Sequence, residues 1–349
     1  MNVTVHQRPG VYSAYDASSV VSGSGAGKQV GLVAVNAKAA ANEVKIVTSY
    51  DGAVNAFGQG TMAELVRLAL KNGAGAVAAV PIAGGEGYAD GFAALEGLED
   101  ITAVICDSTD GDVQKAMKQS VETASANRRE RIAVAAGGAG ETVDQLIARA
   151  KALNHERVVL VAPGGVNQNG EAADGLGVAA AVAGAIAGES DPAVPLGGAV
   201  LTGLYGLNGR YSDGEMDRLI LGGVTPVESL AGTIGVVRGV TTRTTTGEAA
   251  DATWRDLTTI RIVDDVIPTL RRALRTKFQR AKNTAQSRGA IRAQVVLELE
   301  NKKAREIITG YENVTVTADS QDPARCLVDF SFTVAHGLNQ IWLTAHITV

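Results

Sequence analysis

A chain of 349 residues and 35.8 kDa is long enough for two modest domains or one large one. Its 46% apolar and 20% charged residues are ordinary for a folded soluble protein and exclude wholesale disorder. The formal net charge of −5, from 32 basic and 37 acidic residues, argues against nucleic-acid binding over the whole surface. Aromatic residues are scarce while glycines number 41, so small side chains do much of the packing. No stretch offers 18 unbroken apolar residues; the nearest, 175–188, is Ala/Gly-rich and short of a span. No basic, then apolar, export pattern is visible in MNVTVHQRPG. Cys106 and Cys326 lie far apart in apolar surroundings, as buried thiols in a reducing compartment do.

In chain order, Val3, Val5 and Val11 alternate around Pro9-Gly10 and read as an extended arm, residues 1–21. The segment 22–28, SGSGAGK, reads as a flexible loop. From residue 30 strands and helices alternate. Strands are expected over 30–35, 76–80 (stopped by Pro81), 101–106, 131–136 and 157–162. Helices are expected over 61–71, 90–98, 113–126 and 141–153; Thr61 and Glu64 form a capping-box pattern, and Asn72-Gly73 a C-terminal stop. Helix–strand alternation with continuously apolar strands predicts an α/β fold, a mostly parallel sheet with helices on both faces, over 22–250.

Beyond residue 190 the pattern loosens, and the threonine-rich 241–246 reads as a loop. A strand over 257–263 is expected to lead into a helix in which Val263, Val266, Ile267, Leu270, Leu274 and Phe278 recur at helical spacing. Asp264 and Asp265 suit its N-terminus, and Pro268 suits only its first turn. The remainder reads as β, over 293–299, 313–318, 326–334 and 341–349. Residues 251–340 thus make a smaller α+β C-terminal domain, followed by a strand arm, 341–349. In that last strand Ile341, Leu343, Ala345, Ile347 and Val349 share one face.

The chemistry-bearing patterns are incomplete. A phosphate loop at 22–29 would need glycine where Ser22 stands and a hydroxyl where Gln29 stands. Asp107, Asp110 and Asp112 follow a strand end, where open α/β sheets bind ligands, but their spacing is not that of a Ca²⁺ loop, and helix capping explains it. His6, His155, His336 and His346 have no ligand spacing, no GxSxG elbow exists, and Gly137-Gly138-Ala139-Gly140 and Gly164-Gly165 are βα-loop material. No catalytic, cofactor-binding or metal set emerges, which favours a binding or structural role. An α/β enzyme acting on a nucleotide or small molecule stays open as the alternative.

One charge feature stands out. Between Asp265 and Glu298 there are eight basic residues and no acidic one; the rest of the chain holds 24 basic against 37 acidic. A basic stripe on an acidic body suits a solvated helix face or docking against an acidic partner. Strands at both chain ends are either internal or able to leave the body and extend a neighbour's sheet.

The order of these features resembles the tail sheath proteins of contractile phages and contractile bacteriocin-type particles. The resemblance is carried by Arg8-Pro9-Gly10-Val11-Tyr12, by 152–165 (ALNHERVVLVAPGG) and by Gly222-Gly223-Val224-Thr225-Pro226. It continues through 237–244 (VRGVTTRT), Trp254-Arg255-Asp256-Leu257 and 260–265 (IRIVDD). It implies a structural subunit, not an enzyme, that polymerises with itself as stacked hexameric rings around an inner tube and contracts to drive that tube through a cell envelope. Baseplate and tail terminator proteins would be further partners; nucleic acid, membrane and cofactors would not. Assembly would take place in the bacterial cytoplasm, and the product would be a virion or phage-tail-like particle. Val3, Val5, Val11 and the 341–349 strand would join subunits. From charge placement, Arg271, Arg272, Arg275, Lys277, Arg280 and Lys282 would face the tube.

Overall fold

The computed structural model describes residues 28–339. The arm strands expected around Val3, Val5 and Val11 and over 341–349 therefore lie outside the described residues. Six parallel strands form the centre of the molecule: β1 (Gln29–Val35), β3 (Ala76–Ile82), β4 (Ile101–Cys106), β5 (Ile132–Ala136), β6 (Val158–Ala162) and β8 (Val224–Leu230). Three antiparallel strands finish the sheet: β2 (Lys45–Val47), β7 (Val200–Leu201) and β9 (Thr233–Val236). The order is β2-β3-β1-β4-β5-β6-β8-β9-β7.

The central strands are almost continuously apolar, Gln29, Thr102, Thr225 and the exposed end of β8 apart, because both faces are covered. One face carries α1 (Tyr50–Phe57), α2 (Thr61–Lys71) and α6 (Leu176–Gly188) against Val30, Leu32, Val77 and Val159. The other carries α3 (Tyr88–Glu96), α4 (Gly111–Ala126), α5 (Val143–Leu153) and α7 (Asp213–Leu221) against Val33, Val80, Val104 and Leu160. The expected mostly parallel α/β sheet is present. So is a smaller C-terminal unit, in which α8 (Leu257–Phe278), α9 (Ala285–Ala304) and the strands β12 (Ile308–Ala318) and β13 (Cys326–Val334) enclose a third core. Between the two, the threonine-rich segment ends in a short hairpin of β10 (Thr245–Thr246) and β11 (Ala249–Ala250).

The structure corrects several expectations. Residues 257–263 form the opening turns of α8, not a strand. The run LTTIRIV looked continuous because the helix is buried on two sides: Leu257 and Ile260 enter the main core, whereas Ile262, Val266 and Leu270 enter the third. Asp264 and Asp265 consequently sit inside the helix rather than at its start, and Pro268 lies mid-helix. Proline supplies no N–H there and its ring crowds the preceding turn. The hydroxyl of Thr269 donates to the Asp265 carbonyl at 2.6 Å, an added bond in the same turn. Residues 293–299 belong to α9: Val295 and Leu299, four apart, are buried, and the intervening Leu297 that suggested alternation is exposed.

Strand β3 runs through Pro81, which lies beyond the short stretch paired with β2 and so leaves one side without a ladder partner to disrupt. Thr61 is the first residue of α2 rather than its cap; Gly60 takes that position, and Glu64 pairs with Arg67 instead. True capping boxes occur at Thr142/Gln145 and Ser212/Glu215.

Small residues set the spacing of α2 and α6. A Cβ on Gly184 would come 2.3 Å from the Ala69 carbonyl oxygen, and one on Gly73 would meet Gly188 Cα at 2.8 Å. Gly73 also has φ +115°, which side chains rarely adopt. Substituting Gly184→Val is expected to force the helices apart and cost about 1–3 kcal/mol. Denaturant unfolding of the variant, read by circular dichroism, measures this; an unchanged midpoint contradicts it.

Candidate assembly surfaces

In a sheet of order β3-β1-β4-β5-β6, the chain reverses direction across the carboxyl ends of β1 and β4, the usual ligand crevice of an open α/β sheet. Here side chains fill that place. Asp107, just past β4, accepts a hydrogen bond from the Val35 N–H at the end of β1 (2.9 Å) and another from the Tyr88 hydroxyl (2.7 Å). Burial, aided by that contact with Asp107, pushes the Tyr88 hydroxyl pKa up, so it stays a proton donor. Asp110 caps α4 through the Asp112 and Val113 N–H groups, as its spacing suggested. At the neighbouring glycine turn, which borders a cavity of about 260 Å³, another carboxylate takes a backbone donor. Glu141 accepts from the Gly138 N–H at 2.9 Å and is gripped by Arg149.

The remaining chemistry candidates are dispersed. His155 sits at the foot of β6, its Nδ1 accepting from the Arg157 N–H and its Nε2 3.0 Å from Glu122. His336 lines a shallow groove with Lys303 and Arg305. His6, His346 and residues 22–27 of the candidate phosphate loop lie outside the described residues, and Lys28 and Gln29 lead straight into β1. Burial raises the Cys106 thiol pKa to about 12, so the thiol is inert.

The basic segment occupies the second half of α8 and the start of α9, and helical geometry splits it. Arg271, Arg272 and Arg275 follow Pro268 at three- and four-residue spacing and face the amino ends of β4 and β5 across a cleft of about 590 Å³. Arg271 is already engaged there, donating to Glu130 at 2.9 Å. Lys277, Arg280 and Lys282 lie farther along, exposed toward the α8–α9 turn, with Lys277 Nζ also donating to Gln294. The sequence displayed these six residues as one stripe; the helix gives them two addresses.

A second surface is the β12–β13 ribbon. Its strands pair antiparallel only with each other, so both outer edges are open among the described residues. One face, with Val328, Phe330, Phe332 and Val334, packs on the third core, and the other is exposed. Such a ribbon presents unpaired backbone donors and acceptors along both sides.

These surfaces, on a body whose ligand crevice is stitched shut, suit assembly better than turnover. The model of the phage tail sheath protein central domain matches residues 82–242, and that of the phage tail sheath C-terminal domain matches residues 249–348. The chain belongs to the phage tail sheath family. It is a structural sheath subunit.

Solved sheath structures share the fold. The sheath tail protein of Desulfitobacterium hafniense is 13% identical, with a TM-score of 0.70 over 93% of this chain and 100% of its own. The helical sheath of the anti-feeding prophage in its contracted state is 17% identical, with a TM-score of 0.73 over 98% and 99%. The contracted sheath complex of an extracellular contractile injection system is 18% identical, with a TM-score of 0.69 over 99% of each chain. No curated protein matches. Among the described residues of this sheath subunit, no helix is long and apolar enough to cross a membrane.

The Glu141 turn gives a pH prediction. Burial opposes ionisation of Glu141, but Arg149 and the Gly138 N–H outweigh it and hold the carboxyl below its ordinary pKa. Stability from this group is therefore complete above the ordinary carboxylate range and is lost as pH falls through the lowered folded value. Glu141→Gln is expected to lose about 1 kcal/mol at pH 7. The gap to the parent should close under acid. Chemical denaturation at stepped pH checks it; a gap that widens under acid contradicts the assignment.

Proposed function

We propose that this sheath subunit polymerises as stacked six-membered rings into a helical sleeve around an inner tube, and that the sleeve shortens to drive the tube. It carries out no chemical turnover; work comes from exchanging one packing of rigid subunits for another. The observation that carries this reading is the open-edged β12–β13 ribbon. An isolated two-stranded ribbon is marginal in water, and added strands satisfy its edges. The sequence offers strand-forming patterns at both ends for this: Val3, Val5 and Val11 in the arm, and Ile341, Leu343, Ala345, Ile347 and Val349 in the last segment. Donated to neighbouring subunits, they link bodies that move. A strand making about five backbone bonds contributes a few kcal/mol per junction, multiplied over the lattice.

Solved structures similar to this chain include a contracted helical sheath and a baseplate, both of the anti-feeding prophage. This supports self-polymerisation and baseplate contact for the present chain as well, with a terminator closing the far end. Residues 1–21 and 341–349 serve as arms, 22–250 as the outward body and 251–340 as the inner unit. On the same reading, assembly takes place in the bacterial cytoplasm, with release as a phage or phage-tail-like particle.

Two experiments test the proposal. Negative-stain microscopy should display hollow sleeves or stacked rings for the intact chain, while deletion of 341–349 should leave a folded protein that does not polymerise. Sleeves formed by the truncated protein would remove the strand-donation scheme. Second, the end of the helical hairpin, Lys277, Arg280 and Lys282, meets an acidic tube. Arg280→Glu with Lys282→Glu should weaken tube co-sedimentation by about tenfold or more at low salt while tube-free assembly continues. Undiminished co-sedimentation would move the tube contact elsewhere.

A further inference from the structure

The cleft between α8 and the strand feet is more basic than its own surroundings can neutralise. Its lining includes Arg128 and Arg129, which precede β5, and Arg272 and Arg275 of α8. Among the described residues these four guanidinium groups make no ion pair; Arg271 alone is matched, by Glu130, while Asp264 is taken by Arg157. Glu99 and Asp100 line the same cleft, leaving an excess of two positive charges. In sequence, 1–27 holds a single acidic residue, Asp16, and 340–349 holds none.

The opposite end of the same strands carries the opposite charge. Ile101 and Thr102, the first residues of β4, line the basic cleft, whereas Asp110 and Asp112 follow the last residue of β4. Glu86 and Asp90 follow β3, two strands away. All four carboxylates are exposed; Lys115 pairs with Asp112, and Arg149 and Lys115 are the cations acting on Asp110. The Asp112 side chain remains 89% exposed in spite of Lys115. The body is thus polarised along its strand direction.

We propose that the Arg128/Arg129/Arg272/Arg275 cleft of one subunit receives the acidic Glu86/Asp90/Asp110/Asp112 end of a second copy of this chain, as a head-to-tail contact. Two different surfaces meet in such a contact, so it is heterologous and builds a ring or an open helical polymer rather than a closed dimer. The proposal rests on the sheath-subunit reading and adds a contact that needs neither arm nor tube. Its charge pairs are solvent-accessible, so they supply register and a reversible, salt-sensitive hold rather than most of the binding energy.

Charge reversal with complementation tests it. One full-length variant carries Arg128→Glu and Arg272→Glu; the other carries Glu86→Lys and Asp112→Lys, sparing the Asp110 cap. Each alone should raise the critical concentration for assembly by at least about tenfold at 0.1 M salt. An equimolar mixture should assemble near the parental concentration, because every reversed cleft then finds a reversed acidic end. Circular dichroism melts establish that both variants fold. Parental sleeves together with unimpaired assembly of the cleft variant would overturn the contact and leave the sheath reading standing. Two impaired variants that do not rescue one another would overturn the pairing of these ends. A parental chain that forms no polymer with or without tube would overturn the sheath reading, and this contact with it.

Discussion

Everything in the C-terminal half depends on one helix serving two hydrophobic cores. Helix α8 starts with Leu257 and Ile260 in the core of the large sheet and continues with Ile262, Val266 and Leu270 in the core beneath the ribbon. Two consecutive acidic residues hold it in both. Asp264 takes a two-pronged bond from Arg157 at 2.7 and 2.8 Å, fixing the helix to the foot of β6. Asp265, turned about 100° around the axis, pairs with Lys302, which is 7% exposed on α9. Buried pairs of this kind add little net stability relative to apolar replacements, but loss of one partner strands a charge and is costly. Their value here is geometric: they set the rotation of α8, and with it the direction in which each arginine points.

That rotation produces the division of the basic segment. Further charged contacts tie the helix to the body, including Arg238 with Asp256 ahead of its first turn and Arg261 donating to the Glu189 carbonyl. The threonine-rich segment before it is fastened as well: Asn154 and His155 exchange hydrogen bonds with Thr242, Thr244 and Thr245. A subunit connected this way has no obvious slack between sheet and helix. Motion within an assembly is therefore expected at the contacts between subunits, where strand edges and exposed charges are the adjustable parts.

Much of this was legible in the sequence, and the failures share a cause. Helix α2 and strands β4 and β13 fall where apolar pattern and turn residues put them, because α2 and β13 each bury a single face and β4 is a short, nearly all-apolar run. Helix α8 defeated that reading: burial on two sides erased the polar face that marks a helix, and its β-branched residues then suggested a strand. In α9 a single exposed Leu297 between buried Val295 and Leu299 imitated alternation. For the assembly surfaces, the eight-residue excess of positive charge was plain, but its partition was not. Arg128 and Arg129 lie over 140 positions from Arg272, and only the fold brings them to one cleft.

The sheet also explains how a ligand-binding architecture becomes a structural one. The doubly wound order creates a crevice at the carboxyl ends of β1 and β4, and glycine turns nearby expose backbone N–H groups suited to anions. In this subunit those sites are occupied by the chain's own carboxylates, Asp107 in the crevice and Glu141 at the glycine turn. Each carboxylate placed there satisfies one backbone donor that a ligand would otherwise take up, and the surrounding rim keeps its negative charge. Closing the crevice and polarising the body are then one feature. The carboxylates near the crevice are either consumed internally, as with Asp107 and Glu141, or left exposed at the same end, as with Asp110 and Asp112. The same fold that would position a substrate instead displays a charged end, and a charged end on a rigid body is a means of ordering identical neighbours.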